Sequence, residues 1–503
     1  MEVPILKRAP RSLPATEWIL WLMVLFLAVR AAFLVPQEFN RVTCPFQVQQ
    51  DEANHVDFGL RLARLERPYV DFRSGGPYLH FSYTPLYYFL QAFALLSGIG
   101  MFSAGRVISF GAFLGILALV YGWGRRRWKT PWPALITLLV AASPTWDTWA
   151  SVTRSDVLSI FFNLAALSLW VRHGEGKGEG RPDDKRRWVQ AGLLHAAAIL
   201  TKQTTFVLGL AVLATGFLRR RWKPTFTFMA ASWGTAVLIL GLLDLWTGGL
   251  FHLHVIVWAR GFMIPGRFAS FITGSWWREC SLPTAMALMA FLLGRKPNPT
   301  VLAYGLGSAL GLASLGRVGS AENYYLEFLL AMFLWIGEGW GVPEARTPTW
   351  KGWVSALGVL ALTVSFLSMP APTVPSPEER AQKTEAASWL RKDPGQVLLL
   401  DTDLALLSGH EVWYQPSTFG ALYGMGSWNG SDLQDDLSQR IFRWVEIYDL
   451  PVQDRLPPPI LESIRKYYRV EFRRFGRIWL KPRLIPAKRP DKPRDSFSRT
   501  GKR

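Results

Sequence analysis

Long apolar blocks set the rhythm of this chain. Ile19–Val29, Val107–Val120, Val157–Leu169, Phe206–Leu218, Phe226–Leu243, Met286–Leu293, Val301–Leu315, Phe328–Ile336 and Val354–Leu367 are each largely free of charge. With their flanks, most approach the ~20 residues that span a hydrocarbon core. Their spacing predicts an all-α polytopic membrane protein of roughly ten to thirteen membrane helices. Many Trp residues stand at block ends, among them Trp18, Trp123, Trp128, Trp222, Trp276 and Trp353. An amphipathic ring prefers that level of the bilayer.

The polar punctuation between blocks predicts the orientation. Arg125–Lys129, Lys185–Arg187, Arg219–Lys223 and Arg295–Lys296 are short basic clusters, which read as cytoplasmic loops. The same rule puts the N-terminus in the cytoplasm, with Lys7, Arg8 and Arg11 ahead of an uncleaved first anchor. The loop at about residues 36–82 then lies outside. The net charge of +19 sits largely in these membrane-flanking clusters, so its expected partners are lipid headgroups and not nucleic acid. The expected location is a cell (inner or plasma) membrane. Tyr83–Gly98, Arg106–Trp123 and Trp132–Ala150 follow one another as three apolar stretches. The charge rule requires one of them not to cross fully, and Pro85 with Tyr83, Tyr87 and Tyr88 singles out the first.

The period changes after Pro370, Pro372 and Pro375. Residues 1–370 form the expected membrane domain, and residues 377–482 read as a small external α/β unit. It should contain helices at Glu379–Arg391 and Pro458–Tyr467, and strands at Gln396–Leu400, Arg440–Tyr448 and Tyr468–Phe475. The basic, aperiodic stretch 483–503 is expected to be disordered. The two cysteines, Cys44 and Cys280, make no framework. Both fall on the external side by this topology, which leaves one disulfide open.

Five polar groups are candidates for chemistry. Asp51-Glu52-Ala53-Asn54-His55 opens an amphipathic stretch, and Arg73 follows in the same loop. Thr153-Arg154-Ser155-Asp156 precedes an apolar run. Leu200-Thr201-Lys202 lies between two others, where a lysine either snorkels or binds phosphate. In Glu322-Asn323-Tyr324-Tyr325-Leu326-Glu327, Asn323 and Glu327 share a helix face, and an acid inside a membrane span usually meets a cavity or a partner. His252–Arg267, with Arg260, lacks a further metal ligand and reads as surface. Read singly, Asp51 and Asp156 are helix caps. Four unrelated caps need not share a side, yet the first four groups all lean outward, as one external cavity would require.

Together the motifs resemble the bacterial GT-C glycosyltransferases of the protein O-mannosyltransferase-like and aminoarabinose transferase-like group. The carriers are Asp51-Glu52-Ala53, Thr84-Pro85-Leu86, Arg154-Ser155-Asp156, Leu200-Thr201-Lys202 and Gly319–Glu327, in that order, across residues 15–370. Thr84-Pro85 stands where the family more often has Pro-Pro. The resemblance implies inverting transfer of a sugar from a polyprenyl-phosphate carrier to a hydroxyl on a glycan, lipid or protein at the outer membrane face. It implies Asp51 as base, Glu52 as its neighbour and Asp156 as an assistant in the same cavity. Arg154 and Lys202 become candidates for the carrier phosphate, joined by Arg73 and Arg260 as loop cations. Tyr83, Asn323, Tyr324 and Glu327 become acceptor or cavity residues. A phosphate leaves as an anion, so the chemistry needs a base and cations but no general acid. A divalent metal bridging Asp51 and Asp156 stays open. The alternatives are a transporter or flippase of lipid-linked sugars, although no internal repeat is evident, and a non-catalytic membrane assembly protein.

Overall fold

In a computed structural model the described residues are 15–49, 51–173, 182–342, 349–369, 373–448 and 456–483. The basic N-terminal residues before 15 and the stretch expected to be disordered, beyond Arg483, lie outside them. The apolar blocks become helices because a helix bonds every backbone N–H and C=O within its own segment, as an environment without water demands. Among the described residues, five helices are long and apolar enough to cross a membrane. They are α1 (Ala15–Thr43), α4 (Met101–Arg127), α10 (Trp222–Trp246), α14 (Pro299–Gly316) and the Trp350–Ser368 part of α16 (Thr349–Ser368).

Other helices of the bundle are shorter or more deeply packed. They are α5 (Trp132–Ala142) continued by α6 (Pro144–Trp149), α7 (Asp156–His173), α8 (Pro182–Thr201), α9 (Val207–Leu218), α13 (Ser281–Leu293) and α15 (Tyr325–Ile336). α15 is almost wholly buried, with every residue from Phe328 to Ile336 under 5% exposed. It forms the central post of the bundle. In contrast, α1 turns Trp18, Phe33 and Phe39 outward, at 62%, 72% and 66% exposure, as a lipid-facing helix does.

The first of the three apolar stretches holds α3 (Leu86–Leu96), a helix of 11 residues. It begins just after Tyr83, whose hydroxyl receives a hydrogen bond from Arg154. It is followed by Phe102, whose carbonyl accepts from Thr153. Both ends therefore lie at the same end of the bundle. Before it, the first loop folds into α2 (Glu52–Ala63), an amphipathic helix that buries Ala53, Val56 and Phe58. Cys44 and Cys280 are buried and free, so no disulfide joins them.

After α16 the chain forms the α/β unit. α17 (Pro377–Leu390) opens with a capping box from Ser376 and Glu379. The sheet has the order β1 (Val397–Leu399), β2 (Trp444–Tyr448), β4 (Arg477–Pro482), β3 (Tyr468–Arg474), with β1 parallel to β2 and the other pairs antiparallel. The helices at Thr402–Ser408, Pro416–Gly424 and Ser431–Gln439 and the strand β4 are additions to the elements expected from sequence. At seven to nine residues, these helices are too short for a 3.6-residue period to stand out.

The unit is fastened to the first loop. The Tyr78 N–H donates to the Trp413 carbonyl at 2.8 Å, and the Tyr78 hydroxyl to Asp436 at 2.8 Å. The His80 N–H donates to the Gln415 side-chain carbonyl at 2.9 Å. Leu406 and Leu407 pack against Ala53 and Val56 of α2. The Trp413-Tyr414-Gln415 segment is thus a clasp, and it holds the unit over the helix that Asp51 begins.

Candidate active site

The site is assembled around Arg106, an arginine with no exposure at all in α4. Its guanidinium donates to both Glu52 carboxylate oxygens, at 2.8 and 2.7 Å, and to the carbonyls of Arg41, Cys44 and Phe46. Glu52 also accepts from the backbone N–H of Val48 at 3.0 Å and of Thr153 at 2.8 Å. A buried charge pair survives only with its remaining polar atoms satisfied, and here they are. One fully buried ion pair thereby ties the end of α1, the start of α2, the start of α4 and the Thr153–Asp156 turn to one another.

Asp51 is placed by that weld but takes no part in it. Its backbone lies at φ 68°, in the left-handed region. Its carboxylate makes no capping hydrogen bond to α2. Side chains with a Cβ occupy this region at a cost, and such strain concentrates at functional positions. The Asp51 charge lies close enough to act on Arg154.

The second half of the site converges on Asp156. One oxygen accepts from the Lys202 ammonium at 2.5 Å and from the Asn323 amide at 2.6 Å. The other faces the Arg154 guanidinium at 3.4 Å. All four residues are under 9% exposed. Aromatic rings enclose the cations. Lys202 lies 4.7 Å from the Tyr324 ring centre and 5.8 Å from that of Tyr83, and Arg154 lies 5.2 Å from that of Trp149. His55 stacks on Tyr83 and bonds the Tyr88 hydroxyl at 2.6 Å. Two cations bonded to a single carboxylate in a low-dielectric site form a place for a further anion.

Of the residues singled out in the sequence, Arg154, Asp156, Lys202, Asn323, Tyr324 and Tyr83 meet in this cluster, with Asp51 beside it. Glu52 is adjacent in sequence but taken up by Arg106 and the backbone N–H groups of Val48 and Thr153. Glu327 stands deeper. Its carboxylate accepts from the Asn163 amide at 2.9 Å and the Tyr304 hydroxyl at 2.8 Å. Asn163 in turn bonds His195 and the Thr205 carbonyl, and the Thr205 hydroxyl donates to the carbonyl of Lys202. Glu327 thus belongs to the support beneath Lys202.

Arg73 and Arg260 are elsewhere. Arg73 is bidentate with Asp71 at 2.8 and 2.9 Å, and these bonds hold the Asp71 carboxyl below its ordinary range. Its guanidinium lies over Trp258, close to the clasp. Arg260 is exposed and donates to the Val257 carbonyl. Neither touches the Asp156 group.

Among the described residues no set of three or more His, Cys, Asp or Glu side chains is arranged to hold a metal ion. Of the two carboxylates available for one, Asp156 is already engaged by two cations and an amide. This donor set does not fit a bridging divalent cation.

Arg106, Asn163, His195 and Tyr304 were not legible as site residues in the sequence. The available signal was their polarity within apolar blocks, since polar side chains inside a membrane domain rarely lack a partner.

The family model for dolichyl-phosphate-mannose-protein mannosyltransferase matches residues 84–244, a range that holds Arg154, Asp156 and Lys202. No curated protein matches the chain. Among solved structures, ArnT from Cupriavidus metallidurans bound to undecaprenyl phosphate aligns with a TM-score of 0.59 at 15% identity, over 93% of this chain and 98% of that one. The oligosaccharyltransferase AglB from Archaeoglobus fulgidus, in complex with an inhibitory peptide and a dolichol-phosphate, aligns with a TM-score of 0.56 at 13% identity, over 85% and 69%. The chain therefore has the fold shared by these structures, the GT-C membrane fold, and it is a multi-pass membrane protein.

Proposed function

We propose that this protein is an inverting glycosyltransferase that moves a sugar from a polyprenyl-phosphate carrier to a hydroxyl acceptor at the outer membrane face. The observation that carries the reading is the pairing of an uncapped, strained Asp51 with two buried cations, Lys202 and Arg154, at one end of the bundle. The fold supports it. Two proteins that share it were solved with polyprenyl phosphates, undecaprenyl phosphate in ArnT and dolichol-phosphate in AglB.

In this mechanism Asp51 accepts the proton of the acceptor hydroxyl. The oxygen attacks the anomeric carbon, and the bond from that carbon to the phosphate oxygen breaks. Its electron pair stays on the phosphate, which Lys202 and Arg154 stabilise as negative charge grows there. Attack from the face opposite the leaving phosphate inverts the anomeric centre. Asp156 and Asn323 position the two cations, and Glu52 positions Asp51. The lipid tail lies in the bilayer, and the acceptor is a glycan, lipid or protein reached from the aqueous side.

The test is transfer from a labelled polyprenyl-phosphate sugar in membranes holding wild type or Asp51→Asn. Wild type should transfer label and the variant should not. Transfer unchanged in the variant would sink Asp51 as the base. Carrier flipping without transfer in wild type would replace the reading with a transporter.

A further inference from the structure

A cavity of about 280 Å³ lies at the end of the bundle opposite Asp51. α4 joins the two ends. Arg106 stands at the Glu52 weld and Lys129 beside the cavity, roughly 35 Å apart at the helical rise per residue. The walls come from the starts of α1, α5 and α16 and from the Gly337–Gly341 turn that continues α15.

Three charged side chains line it: Lys129, Lys351 and Glu17. None of them forms an ion pair among the described residues. This sets them apart from their neighbour Arg127, which is bidentate with Glu338 at 2.7 and 2.7 Å. Trp340, another wall residue, is 9% exposed and its indole N–H has no acceptor among the described residues. A buried donor without a partner is uncommon and asks for one.

Trp353 on the wall is 44% exposed, and Trp18, next to Glu17, and Trp350, next to Lys351, are 62% and 51% exposed. Exposed tryptophans at the ends of apolar helices mark the headgroup level of a bilayer. The volume is at the small end of ligand sites, which run roughly from 300 to 1,000 Å³. It suits a headgroup whose chains stay outside.

We propose that this cavity binds the headgroup of a membrane phospholipid carrying both a phosphate and an ammonium group, as phosphatidylethanolamine does. Lys129, Lys351 and the Trp340 indole N–H receive the phosphate. Glu17 receives the ammonium, and the acyl chains run along the exposed faces of α1 and α16. An anionic headgroup without an ammonium would leave Glu17 unpaired, so the site selects the zwitterion.

The full-length protein in detergent, given phosphatidylethanolamine or phosphatidylglycerol and read by native mass spectrometry, tests this. Wild type should retain the ethanolamine lipid preferentially. Lys129→Gln with Lys351→Gln should weaken its retention roughly tenfold or more, the worth of a charged hydrogen bond. Glu17→Gln should abolish the preference while leaving retention of the glycerol lipid intact. Equal retention of both lipids by wild type, or unchanged retention in the double lysine variant, would overturn the site. Water-soluble phosphoethanolamine that competes as well as the lipid would also overturn it, because the ligand would then be a free phosphate ester and not a membrane lipid.

Discussion

Asp51 and Glu52 are neighbours in the chain and opposites in the structure. Glu52 is fully buried and closed by Arg106 through two bonds of 2.8 and 2.7 Å. Asp51 is partly exposed, sits at φ 68° and leaves its carboxylate without a capping bond. One acid builds the turn and the other is presented by it.

Asp51→Asn should lower transfer by about 10²–10⁴, the usual worth of a general base, with the melting temperature unchanged. Asp51→Gly should be equally inactive yet more stable by ~1 kcal/mol, because glycine relieves the left-handed backbone. Thermal unfolding in detergent beside a transfer assay separates the two effects. A destabilised Asp51→Gly would contradict the strain at this residue.

Glu52→Gln or Arg106→Met, made singly, should cost ~3–5 kcal/mol, because each leaves a buried charge alone. The double variant should recover part of that loss. Single variants as stable as wild type would show that the pair does not hold the loop.

Lys202→Met should weaken binding of a sugar-free polyprenyl phosphate and lower kcat/KM by about 10²–10³, on the scale of losing one stabilising group at a developing charge. Lys202→Arg should restore part of the binding. A variant that binds the sugar-free carrier as tightly as wild type would remove Lys202 from the phosphate site.

Acid should loosen the clasp. His80 of the first loop, whose backbone N–H donates to Gln415 of the C-terminal unit, stacks at 5.3 Å on His254 of the 250–260 helix. Burial pushes the His80 imidazole down to about 3 and that of His254 down to about 4. Unfolded histidine titrates near ~6.5. A lowered imidazole contributes stability that is complete above the unfolded value. It is lost as pH falls towards the folded value, at up to ~1.4 kcal/mol per group and pH unit. Unfolding followed from pH 7.5 to 5 should therefore show a steeper loss for wild type than for His80→Gln. Equal slopes would rule out the buried pair as the cause.

The motifs at Asp51, Arg154–Asp156, Lys202 and Asn323–Tyr324 were readable because each is a local polar interruption of an apolar pattern. Their lean to one side followed from counting basic loops. The division of labour within them was not readable. Glu52 looked as available as Asp51, and only its partner 54 residues away shows otherwise. Glu327 shared a helix face with Asn323, yet Asn163 and Tyr304 draw it into a different layer. Arg73 and Arg260 looked like loop cations for a phosphate, and the fold puts both away from the cluster.

Apolar length, the position of charges and the polar breaks determined the helical membrane architecture, the C-terminal α/β unit and the order of the candidate motifs. These are properties of single segments, set by the cost of taking backbone and charge out of water. The tertiary structure decided which acid is free, which cations share Asp156, that Trp413–Gln415 clasps the first loop, and that a charged cavity lies at the far end. Those depend on contacts between segments distant along the chain, where the pairing of buried charges selects one arrangement among many that the same hydrophobic pattern permits.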